Sequence, residues 1–178
     1  MPIVEEQKIR SQIVKEIAQR MLIAARTAPK GKGQDNTVLL LVDGAELKKL
    51  SDHLKEMGTK LEHLGFIRDA ENILQAEALL LFGSRIKSMG LKKCGMCGFK
   101  NCAAKDEHPN IPCVMNTGDL GIAIGSAVSV AMDNRIDNRI MYSVGQAAMD
   151  MGIFEKDVKI AYAVPLSATS KNPFFDRK

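Results

Sequence analysis

Apolar residues recur at helical spacing in five stretches of the chain and run almost unbroken in three others. Between Glu5 and Arg26, Ile9, Ile13, Ile17, Met21 and Ala24 fall about one turn apart, which predicts a helix. Pro29 ends it and opens a polar, glycine-rich loop, TAPKGKGQDN. The run NTVLLLVD (Asn36 to Asp43) reads as a buried strand covered on both faces. Leu47, Leu50, Leu54, Met57, Leu61 and Leu64 alternate spacings of three and four. That predicts one long helix whose narrow seam packs on the protein's own core or on a second copy. Arg68 to Glu77 predicts another helix, and ALLLFGS (Ala78 to Ser84) a second buried strand. Two more helices are expected at Leu120 to Met132, capped by Thr117 or Asp119, and at Asp137 to Met151, stopped by Gly152. VKIAYAV (Val158 to Val164) is the last strand, followed by Pro165 and a tail. This order predicts an α+β fold of the three-layer α/β type, formed as a single domain over 1–178.

One segment has no such period. Residues 88–116 hold all four cysteines, Cys94, Cys97, Cys102 and Cys113, in the pattern C-x2-C-x4-C-x10-C. Ordinary core cysteines do not cluster so densely, and a reducing compartment disfavours disulfides, so the thiols point to a metal or to redox chemistry. A C-x2-C pair lets two sulfurs converge from one tight turn. Gly95 and Gly98, each following a cysteine, can take positive φ and turn backbone N–H groups toward sulfur. Four thiolates suit a [4Fe–4S] cluster, although the spacing is neither the bacterial ferredoxin run nor the plant type. Zinc also takes four cysteines but favours two separated C-x2-C pairs, and only one is present. A thioredoxin-like dithiol would use Cys94 and Cys97 and leave two thiols idle. His108 reads as a solvent-facing loop residue, and Lys92, Lys93 and Lys100 flank the cysteines as a solvated loop or a dock for an acidic electron partner.

Composition narrows the function class. The 178 residues are 46% hydrophobic and 26% charged, which excludes a disordered or low-complexity chain. The longest apolar candidate, Gly121 to Met132, falls short of the roughly 20 residues of a membrane span and reads as a buried helix. No signal-peptide pattern opens the chain, so a cytoplasmic protein is expected, without a membrane partner. Net charge is +4, and six Phe and two Tyr are not interleaved with basic runs, so nucleic-acid binding is not expected.

Three further places carry candidate chemistry. Lys30 and Lys32, with Gly31 and Gly33, make a cationic loop able to hold a phosphate. Gly121, Gly125 and Ser129 stack on one helix face, suiting a tight helix crossing or a flat cofactor. The tandem DNRIDNRI (Asp133 to Ile140) offers helix ends at Asn134 and Asp137, or a polar pocket through Asn138 and Arg139.

The segments CGMCGFKNC with PC, DLGIAIGSAVSVAMDNRIDNRIMYSVGQAAMDMG and VPLSATSKNPFFDR resemble a family of uncharacterised ferredoxin-domain-containing proteins. That resemblance implies a four-iron ferredoxin-type centre. More distantly, AARTAPKGKGQDN and DLGIAIGSAV are similar to the first helix, Ala-Pro loop and central helix of nitroreductase-like flavoproteins. This likeness implies a central antiparallel or mixed sheet flanked by helices, with the cysteine segment inserted, and an intertwined homodimer with FMN at its interface. Phe174 and Phe175 would then wrap onto the partner chain. Those flavoproteins open with an arginine-rich grip on the flavin phosphate, where MPIVEEQKIRSQ offers only Arg10. The expectation is a redox protein passing single electrons through a [4Fe–4S] cluster to an unknown partner. The alternatives are a non-catalytic module stapled by zinc or a cluster, and an FMN-dependent reductase.

Overall fold

The computed structural model describes residues 3–175. The chain runs α1 (Glu6–Thr27), β1 (Thr37–Val42), α2 (Gly44–Lys60), α3 (Leu64–Ile73), β2 (Ala78–Arg85), α4 (Cys102–Asp106), α5 (Val114–Asp133), β3 (Asp137–Asn138), α6 (Tyr142–Asp150) and β4 (Val158–Ser167). Single 3-10 turns lie at Gly31–Gly33 and Pro173–Phe175.

The three unbroken apolar runs become β1, β2 and β4 of an antiparallel sheet ordered β1-β2-β4-β3. Successive side chains of a strand point to opposite faces. Leu79 and Leu81 of β2 therefore join α2, α3 and α6, while Ala78, Leu80 and Phe82 join α1 and α5. The three-layer expectation holds. In β2, a central strand, seven of eight residues are buried. β1 is an edge strand, and its four middle residues are only half-buried, so it lacks the two-sided cover expected of it. On the α6 side the layers nearly touch: a Cβ at Gly145 would stand 2.1 Å from the Ala161 carbonyl oxygen, so glycine alone permits this approach.

Several expected boundaries move. Ile9 and Ile13 of α1 are exposed, and the buried face is Val14, Ile17, Ala18, Met21 and Ala25. The long leucine seam is two helices: α2 stops at Lys60, Glu62 takes φ of +52°, and the His63 N–H closes on the Gly58 carbonyl at 2.8 Å. Leu47, Leu50 and Leu54 enter the core, while Leu61 and Leu64 lie exposed at the turn. Gly58 marks the place where α3 leans on α2, since a Cβ there would meet Phe66 and Ile67 at 2.9 Å.

β4 also runs past the expected tail. Met141 and Ala163 exchange both backbone hydrogen bonds, at 2.8 and 2.9 Å. The next such pair along that edge would require an N–H from Pro165, which has none. Pairing resumes only at Asn138 and Leu166, so β3 is two residues long. Asp137 lies in this strand rather than capping a helix, and α6 starts at Tyr142. Asn134 does end α5, its side-chain amide donating to the Val130 carbonyl.

α5 begins at Val114, six residues before the expected start, with Cys113 at its N-cap position, so neither Thr117 nor Asp119 caps it. At 20 residues it is, by length and composition alone, apolar enough to cross a membrane. Leu120, Ala123, Ile124, Ala127 and Ala131 are buried in the core shared with α1 and the sheet. The tail folds onto its own chain. Phe174 is fully buried in the core beside α3, and its carbonyl accepts from Asn72 and Arg139. Phe175 is exposed under the Arg139 guanidinium.

Candidate metal centre

The chain leaves the sheet at the end of β2 and returns through α5, and the cysteines lie on this excursion. Cys94 and Cys97 bracket a tight turn closed by the Gly98 N–H on the Gly95 carbonyl at 2.9 Å. Gly95 and Gly98 adopt φ of +81° and +89°, the left-handed conformation expected of them. Their amides do not both face sulfur, because that of Gly98 is spent within the turn. Asn101 caps α4 by accepting from the Ala104 N–H at 2.9 Å, which places Cys102 in its first position. Cys113 stands at the N-terminus of the long helix α5, where the aligned peptide dipoles favour negative charge.

All four thiols are free, and all four line one narrow pocket with Met89, Leu91, Lys105 and Met115. Exposure is graded from Cys94, open to solvent, through Cys97 and Cys102 to Cys113, which is buried. Among the described residues, no three His, Cys, Asp or Glu side chains stand close enough to hold a single metal ion. The expected ligand set is therefore assembled around one pocket, but more widely than one ion requires. His108 stays at the surface, stacked on Phe99 with ring centroids 5.2 Å apart.

Lys105 carries no signal in the sequence beyond its nearness to Cys102, yet it forms a wall of the pocket. Only 3% of the residue is exposed, and its ammonium donates to the Ile86 carbonyl at 3.1 Å, with Asp106 at 3.7 Å. Met89 joins the pocket to the glycine loop. The Lys32 ammonium reaches the Met89 carbonyl at 3.3 Å, and a Cβ at Gly31 would meet the Met89 side chain at 3.1 Å. The Gly31 N–H donates to both carboxylate oxygens of Asp119, at 3.1 and 3.0 Å. Asp119 thus ties this loop to α5, a pairing across 88 residues that no local motif announces.

The other candidates do not converge here. Lys30 points its ammonium at the end of α1 and donates to the carbonyls of Ala25, Arg26 and Ala28 at 2.8 to 2.9 Å. All three of its N–H bonds are committed to capping, none to a phosphate. Asn138 donates to the Ile136 carbonyl. Arg139 bonds the buried Asp69 carboxylate, which also accepts from Ser143 at 2.6 Å. These bonds hold β3, α3 and the tail together rather than forming a pocket. Gly121 and Gly125 are exposed, and a Cβ on either would meet nothing within 4 Å. The tight crossing expected at that face is absent among the described residues.

An antiparallel sheet between layers of helices, joined in this order, is the nitroreductase-like fold. It resembles the FMN-bound nitroreductase of Bacteroides fragilis NCTC 9343 with a TM-score of 0.62 at 14% identity, covering 92% of this chain and 81% of that one. Nitroreductase CinD from Lactococcus lactis, in complex with nicotinic acid, gives 0.62 at 15% identity, with 95% and 81% covered. The FMN-bound nitroreductase of Desulfitobacterium hafniense DCB-2 gives 0.59 at 16%, with 91% and 82% covered. The model of a family described as "Uncharacterized protein containing a ferredoxin domain (DUF2148)" matches residues 110–177. An uncharacterized protein of Archaeoglobus fulgidus is 40% identical over 185 residues, covering 98% of this chain and 97% of its own. The chain belongs to this family of ferredoxin-domain proteins. The ferredoxin domain in the family's description suggests redox function through an iron–sulfur cluster.

Proposed function

We propose that the protein is an iron–sulfur redox protein in which Cys94, Cys97, Cys102 and Cys113 hold one [4Fe–4S] cluster per chain. When bound, such a cluster supplies one-electron chemistry. The observation that carries the reading is that all four free thiols line a single pocket. Zinc bonds sulfur at about 2.3 Å and draws all its ligands onto one atom. Four thiolates would hold a four-iron cluster, and only one C-x2-C pair is present where zinc favours two. The chain's own groups favour the resulting negative charge: the N-terminus of α5 at Cys113 and the buried ammonium of Lys105. Exposed Cys94 marks the side by which an electron enters or leaves.

The assembly is proposed to be a homodimer of the cytoplasm. The open glycine face of α5 supports the contact, because small side chains let a second surface approach closely. An FMN site finds less support: Lys30 is committed to α1, and the Arg10 guanidinium is forked onto Glu6 at 2.6 Å.

Anaerobic purification tests the reading. Iron and acid-labile sulfide near four each per chain, with a brown colour bleached by oxygen, are expected. A colourless protein with one zinc per chain would replace the cluster by a structural ion. A yellow, fluorescent supernatant released by heat would bring the flavin back.

A further inference from the structure

Charge is not spread evenly over this molecule. Residues 85–115 contain six Lys or Arg against two Asp or Glu, a net +4 equal to that of the entire chain; the rest carries nineteen of each sign. Pairing on the first two helices differs from that of the exposed lysines of this segment. Every lysine of α1 and α2 has a carboxylate partner: Lys8 with Glu5, Lys15 with Asp43, Lys48 with Asp52, Lys49 with Glu46, Lys55 with Glu71 and Lys60 with Glu56. Lys87, Lys92, Lys93 and Lys100 are exposed, and none has a carboxylate within 4 Å among the described residues. Lys87 and Lys159 line an open groove that shares Ser88 and Lys105 with the cysteine pocket. The same segment exposes apolar surface at Met96 (68%) and Ile111 (41%). Exposed apolar side chains and unneutralised cations on one segment suit a protein-docking surface, whereas single-stranded nucleic acid would ask for aromatic platforms.

We propose that this lysine-bordered face of the cysteine segment docks an acidic protein that exchanges electrons with the cysteine site. The proposal rests on the redox reading above. In the exchange a reduced one-electron donor loses one electron and the iron centre gains it, with no bond made or broken. Unpaired lysines steer an acidic surface toward Cys94, the exposed thiol, and the apolar patch holds it there.

The test uses anaerobically purified holoprotein and an acidic flavodoxin as probe. Binding is read by calorimetry at several salt concentrations, and iron is measured separately. Affinity is expected to fall steeply with salt, and by at least about tenfold in the variant Lys87→Glu, Lys92→Glu, Lys93→Glu, Lys100→Glu. A control, Lys48→Glu with Lys49→Glu on α2, is expected to bind as the parent does. Circular dichroism confirms that both variants fold. Salt-independent binding, equal losses in both variants, or a preference for a short DNA duplex over flavodoxin would overturn the proposal. An iron-free protein that still binds flavodoxin through these lysines would end the electron-transfer reading and leave the docking surface standing.

Discussion

β2 and the cysteine segment follow one another in the chain and are ordered by opposite means. In β2 seven of eight residues are buried, its side chains fill both core clusters, and its backbone pairs on two sides. From Gly90 to Ala104 no residue is buried. The strand owes its position to apolar surface removed from water. A stretch with nothing buried has no such source, and its order must come from turn hydrogen bonds and from whatever the four sulfurs bind.

The comparison can be broken most severely on the sheet side. Gly145→Val places a side chain against the Ala161 backbone, which has no room to yield, and is expected to cost more than about 4 kcal/mol, read as failure to accumulate folded protein. Phe82→Ala, in the fully buried centre of β2, should cost about 3–5 kcal/mol in denaturant titration. Cys97→Ser should act on the other region alone. Metal content falls to background and hydrogen exchange over residues 90–104 accelerates, while the exchange of β2 stays as it was. Should β2 lose protection as well, the two regions are one cooperative unit.

Two smaller effects sharpen the contrast. Asn116, buried on the first turn of α5, has no hydrogen-bond partner for either amide atom, so Asn116→Leu is expected to raise stability by about 1 kcal/mol in thermal melts. Asp35 reports on the join between α1 and β1. Partial burial raises its carboxyl, but hydrogen bonds from the Thr37 hydroxyl and N–H and from Arg26 outweigh this and hold it below the usual 3.8. A depressed carboxyl stabilises the fold at neutral pH and loses that contribution as pH falls below about 4. Asp35→Asn should flatten this part of the acid-unfolding curve by less than about 1 kcal/mol.

The same division explains what the sequence made legible. Unbroken apolar runs announced β1, β2 and β4, although only β2 is buried along nearly its whole length and β1 is half-covered. The four cysteines announced a shared pocket because thiols so close in sequence cannot travel far apart. What stayed hidden depended on distant partners. Asp119 looked like a local cap because its real partner, the Gly31 N–H, lies 88 residues away. Lys30 looked like a phosphate ligand because a capping lysine and a binding lysine are written alike. Leu61 and Leu64 kept the seam's spacing after the helix had ended at Lys60, since periodicity does not register a residue such as Glu62 turning left-handed. Lys105 was overlooked for the reverse reason: a charged side chain does not advertise burial.

The seating of Phe174 bears on how the protein is handled at the bench. Its ring plugs the core, while Pro173 beside it is also buried. Trimming the chain ahead of Pro173 would extract a core aromatic rather than clip a loose end, and a bulky fusion there would strain the plug. An affinity handle belongs at the amino end, where Ile3 and Val4 face solvent.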